Sequence, residues 1–141
     1  MSNISISNLK KIEDLEIIAE EYASHYNLVL KENWTKESCI KMFKYFYNNF
    51  PDLFFMAYDE EKPVGVVMST LKPWCDGNHL EDAEIFVLKK YQHKGIAKKL
   101  FRTLFEYAIN QYNATTFSSH TYEDENGFPY SWYKRLGFET I

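Results

Sequence analysis

The stretch Tyr91-Gln92-His93-Lys94-Gly95-Ile96-Ala97 joins a β-rich run ending near Val87 to a run of helical apolar spacing that begins near Gly95. A glycine and an alanine two residues apart at a helix start let a ligand come close to the free N–H groups of the first turn. Those amides and the helix dipole favour phosphate oxygens, so a pyrophosphate suits this loop. It is neither of two common phosphate loops. Lys94 precedes the glycine with no Gly-Lys-Ser or Gly-Lys-Thr after it, and Gly-x-Gly-x-x-Gly is absent. Charge is concentrated here as well. Lys89, Lys90, Lys94, Lys98, Lys99 and Arg102 stand together without an acid, so this segment carries +6 and the net charge of −4 leaves −10 for the rest. A Lys-rich run is ordinarily a solvated helix face; beside this loop it also fits one small anionic ligand on an acidic protein. The acidic balance argues against a nucleic-acid partner held by many phosphate contacts.

Upstream, Ile4 and Ile6 alternate with serines as a short strand, and apolar residues recur at helical spacing from Leu9 to about His25. Thr35 is placed to cap a second helix, which the Asn-Asn-Phe-Pro run at 48–51 ends. Residues 53–58 and 63–71 read as the strands of a β-hairpin, with a turn at 59–62. Residues 72–78 read as a loop, and 80–88 as the long strand that leads into the basic segment. An amphipathic helix over 95–112 follows, then β-rich residues 115–121, an acidic turn at 123–128, and a last helix from Pro129 through Leu136 stopped by Gly137.

At 141 residues, with 45% hydrophobic and 26% charged residues, the chain suits one globular domain with a sizeable core rather than a disordered or two-domain protein. Cys39 and Cys75 are far apart, and His25, His79, His93 and His120 lack metal-ligand spacing, so neither a disulfide framework nor a metal site is expected. No leader-like or membrane-spanning apolar run is present, and a cytoplasmic protein without a membrane partner is the expectation.

A second pattern lies about 30 residues beyond the loop. Asn126 is followed seven residues later by Tyr133, and after three more by Gly137-Phe138. Together with Gln92, Gly95 and Ala97, which fit Q/R-x-x-G-x-G/A after a central strand, this resembles the GNAT (Gcn5-related N-acetyltransferase) superfamily over nearly the whole chain. The resemblance implies an α/β fold over residues 1–141 as a single domain: a mixed central sheet with helices on both faces, in the order β-α-α-β-β-β-α-β-α with a short final strand. It implies acetyl-CoA as cofactor and an enzyme that acetylates a primary amine by direct attack in a ternary complex. A small cationic acceptor, aminoglycoside- or polyamine-like, is the first reading. A protein amino group and a non-catalytic acyl-CoA-binding domain are the alternatives. Three features depart from the family pattern: His93 replaces a common glycine, Pro129 a frequent alanine, and the chain stops at Ile141. An open sheet edge there would favour a homodimer.

By the same resemblance, the thioester arm lies along Ile85, Phe86 and Val87, and Gln92, His93, Lys94, Gly95, Ile96, Ala97 and Lys98 hold the phosphates. Asn126 would bond the pantetheine arm and Tyr133 would be the general acid, a phenol able to protonate a thiolate of similar basicity. A carboxylate near Glu81 or Glu84 would be the base, Glu84 being the first choice; three acids in four residues, with Asp82, also suit a plain solvated strand entrance. Trp34, Trp74, Asp82, His120 and Tyr122 are candidates to border the acceptor, although core packing is the ordinary role of such aromatics.

Overall fold

Successive side chains of the strand Phe54–Asp59 (β2) go to opposite faces: Phe54, Met56 and Tyr58 join one buried cluster, Phe55 and Ala57 another. This alternation sets three layers in the computed structural model, which describes residues 3–119 and residue 134. Besides β2, the elements are β1 (Ile4–Asn8), α1 (Asp14–Val29), α2 (Lys36–Asn49), β3 (Lys62–Trp74), β4 (Gly77–Val87), α3 (Ile96–Tyr112) and β5 (Ala114–Ser119). The sheet order is β1-β2-β3-β4-β5, antiparallel through β4, with β5 parallel to β4. Leu15, Ile18 and Phe43 bring α1 and α2 to one face, and Leu100 and Leu104 bring α3 to the other. The mixed sheet with helices on both faces is therefore as the sequence implied.

Thr35 caps α2 as expected, in a reciprocal box with Ser38. Two expectations need correction. The first helix begins at Asp14 rather than Leu9, because the connection is tied to the sheet: Lys10 N–H donates to the Tyr58 hydroxyl at 3.0 Å, which donates to Asp14 Oδ2 at 2.7 Å. It also runs on to Val29, past the end of its apolar pattern, since its last turn carries Leu28 out to solvent. The second correction concerns residues 72–78, which are strand apart from a two-residue turn at Cys75 and Asp76, with Trp74 paired to Gly77. Pro73 is tolerated because β2 pairs with β3 only as far as Met68, so the proline lies past that neighbour. Gly77 is required: its φ is +134°, and an added Cβ would lie 2.7 Å from Thr115 and 2.8 Å from the Asn113 carbonyl. The anticipated last helix, Gly137 stop and dimer edge fall outside the described residues, except Lys134, which is helical.

Among the described residues, no helix is long and apolar enough to cross a membrane, and no cluster of three metal-ligating side chains occurs.

Candidate active site

The end of β4 leads into a loop built from backbone. Residues Lys89–Tyr91 make one 3-10 turn, and the Gln92 side chain donates back to the Val87 carbonyl at 3.0 Å, bracing the loop against the strand. Tyr91 donates to Asp59 Oδ2 at 2.8 Å, and this carboxylate pushes the phenol's pKa up. His93 and Gly95 both take left-handed backbone, at φ +63° and +81°. Gly95 then caps α3 without any side-chain bond, while its carbonyl accepts Lys99 N–H at 3.1 Å. Among the described residues no capping side chain claims the first amides of the helix. Among the described residues a Cβ added at Gly95 would meet nothing within 4 Å, so the left-handed φ rather than crowding calls for glycine here. His93, Lys94 and Lys98 are exposed around it, Ala97 is half-buried, and buried Ile96 anchors the turn in the core. Small residues, uncapped amides and cations fit a pyrophosphate.

Halfway along β4 the ladder is interrupted on both sides, between Met68 and Thr70 of β3 and between Leu80 and Ala83 against β5. Asp82 takes φ +54° at this point, and the Glu81 carbonyl accepts hydroxyls from Ser69 at 3.2 Å and Thr70 at 2.8 Å. Beyond the irregularity Glu84 and Phe86 share the face covered by α1 and α2, while Ile85 and Val87 pack toward α3.

Glu84 is met there by Tyr22 of α1, whose hydroxyl donates to Glu84 Oε1 at 2.9 Å. The Tyr22 ring is only 4% exposed and lies against Tyr26, Trp34, Phe43 and Phe86, with centroids 4.5 to 5.6 Å away. Burial, and then the Glu84 charge, push the Tyr22 phenol far above its ordinary pKa, so it stays a donor. Trp34 is held in place by Asn27, which accepts its N–H at 2.7 Å and donates to its carbonyl at 2.8 Å. His25, on the same side of α1, packs on Tyr26 and Phe86; burial pulls its pKa down, favouring neutral imidazole.

The structure thus brings Glu84, Phe86 and Trp34 into one cluster. Glu81 is half-buried and Asp82 exposed at the irregularity. Trp74, 57% exposed at the hairpin tip with Lys72 Nζ 4.8 Å from its ring centre, is not part of that cluster. Glu84 is seven positions along β4 from its partner Gly77, roughly 23 Å at strand rise. His120, Tyr122, Asn126 and Tyr133 lie outside the described residues. Sequence reasoning missed Tyr22, His25 and Tyr26, whose i, i+3, i+4 spacing on one helix face was the available signal. A groove of about 440 Å³ along α3 and β5, lined by Leu80, Phe101, Phe105 and Phe117, borders the opposite face.

A family model described as the acetyltransferase (GNAT) family matches residues 15–138. Among curated protein sequences none matches. Solved structures resemble the chain closely in fold and weakly in sequence. A possible acetyltransferase from Clostridium difficile 630 superposes with a TM-score of 0.76 at 18% identity, covering 98% of this chain and 92% of that one. A ribosomal-protein-alanine N-acetyltransferase from Brucella melitensis biovar Abortus 2308 gives 0.68 at 18% identity, covering 97% and 92%. The NatC complex bound to Gag peptide and CoA gives 0.66 at 19% identity, covering 99% and 86%.

Proposed function

The chain belongs to the GNAT family of acetyltransferases, which use acyl-CoA, and on that footing we propose that it transfers acetyl from acetyl-CoA to a primary amine of a small cationic molecule, aminoglycoside- or polyamine-like. The observation that carries the reading is Glu84, a carboxylate fixed among aromatic rings on the strand that leads to the anion-binding loop. An anion walled by π-faces attracts an ammonium group and can accept its proton. The acidic remainder of the chain adds a favourable field for a polycation.

In this reading residues 92–98 hold the pyrophosphate through backbone amides, with Lys94 and Lys98 supplying charge. The backbone of Ile85, Phe86 and Val87 bonds the pantetheine arm with Asn126, and one N–H there receives the charge that develops on the carbonyl oxygen. Glu84 removes a proton from the acceptor ammonium, with Glu81 as the neighbouring carboxylate. As the neutral nitrogen forms its bond to the acetyl carbon, the carbon–sulfur bond breaks, the Tyr133 phenol gives its proton to the departing sulfur, and the nitrogen's second proton returns through water to the phenolate, leaving a neutral amide and a free thiol. Trp34, Asp82, His120 and Tyr122 border the acceptor, while Trp74, at the far hairpin tip, stands away from it. The whole of residues 1–141 acts as one domain.

Thiol release from acetyl-CoA, followed with spermidine, kanamycin and an alanine-initiated peptide as acceptors, tests the reading. A small polyamine or aminoglycoside should outpace the peptide, and Glu84→Gln should lower turnover at least tenfold with acetyl-CoA affinity kept. Faster peptide acetylation would favour the protein amino group. Acetyl-CoA binding without thiol release would favour an acyl-CoA-binding domain.

A further inference from the structure

We propose that Tyr22 is the positioning residue for the Glu84 carboxylate, holding it in one orientation toward the acceptor amine. The inference rests on the reading of Glu84 as the base. Nothing in the sequence motifs points to Tyr22, which precedes Glu84 by 62 residues and reaches it from another element.

The geometry is that of a fixed donor. Four rings from α1, α2, β4 and the 30–35 connection enclose Tyr22, so packing and not solvent sets where its hydroxyl points. A hydroxyl so buried needs a partner, and the 2.9 Å bond to Glu84 Oε1 supplies one. A donated bond to one carboxylate oxygen restricts the rotamers open to Glu84 and favours its ionised form. Proton removal depends on the base waiting within hydrogen-bond reach of the amine, so a loss of orientation should appear in turnover rather than in cofactor affinity.

Few other titratable groups face this pair among the described residues. From α1 come Tyr26, against the Tyr22 ring, and His25, which packs on Phe86 and feels Glu21 and Lys89. From α2 comes Cys39, near Tyr22. The cross-strand neighbour of Glu84 on β3 is Met68, which is uncharged, and Ser119 of β5 stands beside Ala83. Asp82 and Glu81 lie on β4 itself, at the ladder irregularity.

Tyr22→Phe keeps the ring and its packing and deletes only the hydroxyl. The carboxyl resonance of Glu84, assigned by its disappearance in Glu84→Gln, is followed by carbon-13 NMR against pH in wild type and Tyr22→Phe. Loss of the donated bond should move the Glu84 midpoint upward by about one pH unit. With the best amine of the panel, Tyr22→Phe should lower kcat about fivefold to tenfold, raise the acidic limb of the rate profile, and leave acetyl-CoA affinity unchanged. In a Glu84→Gln background, removing the hydroxyl should cost nothing further. Impaired Glu84→Gln beside a Tyr22→Phe variant with wild-type midpoint and turnover overturns the inference alone. Wild-type turnover in Glu84→Gln overturns the base reading on which it rests.

Discussion

The loop of residues 92–98, proposed to hold the anion, follows the end of β4, and the Glu84 cluster lies on one face of the same strand, yet the two are built in different ways. The loop is local: Gln92, Gly95 and Ala97 are neighbours in sequence, and its donors are backbone amides freed by a helix start. The cluster is assembled: Tyr22, Trp34, Phe43 and Glu84 come from separate elements and meet through packed side chains. A backbone site tolerates change in distant packing, whereas a side-chain site inherits the stability of everything around it.

The largest expected effect separates the two by disturbing only the core. Phe43→Ala removes a fully buried ring from α2 that packs edge-on to Tyr22, and should cost about 3–5 kcal/mol in urea unfolding. Acetyl-CoA affinity, measured where the variant is still folded, should stay within about twofold because the proposed donors are backbone amides, even though Phe86, Leu88 and Tyr91 belong to or pack on the same cluster as Phe43. A parallel fall in affinity would mean that loop and cluster are one cooperative unit.

A smaller effect probes the loop. His93 sits at φ +63°, a conformation that strains a residue with a Cβ, so His93→Gly should raise stability by about 0.5–1 kcal/mol even after the glycine's greater unfolded-state freedom. A loss of stability would show instead that the His93 side chain's own contacts outweigh the strain.

This contrast also explains what could be read before any coordinates. The loop, the Thr35 cap and the helix of Ile96–Tyr112 are written in contiguous residues, whereas the apolar run at 53–58 marks a strand without saying which side chains go to which core. Apolar periodicity could not reveal that Lys10 and Asp14 are tied to Tyr58, so the first helix was expected too early. Proline 73 made 72–78 resemble a loop because a sequence does not state where β2 ends as a neighbour. Glu84 was picked out by its place on the strand, but its partner Tyr22 looked like one core tyrosine among many. Only the bulged register of β4 turns Glu84 toward α1, and no short motif encodes that bulge.

The most direct test of the account is a calorimetric titration of acetyl-CoA into wild type and Gly95→Asp. Wild type should bind, and the aspartate should weaken binding on the order of 50-fold, since it strains a φ of +81° and sets a like charge beside the phosphates. Equal affinity in the two proteins would contradict the assignment of the Gln92 to Lys98 loop as the cofactor's anion site.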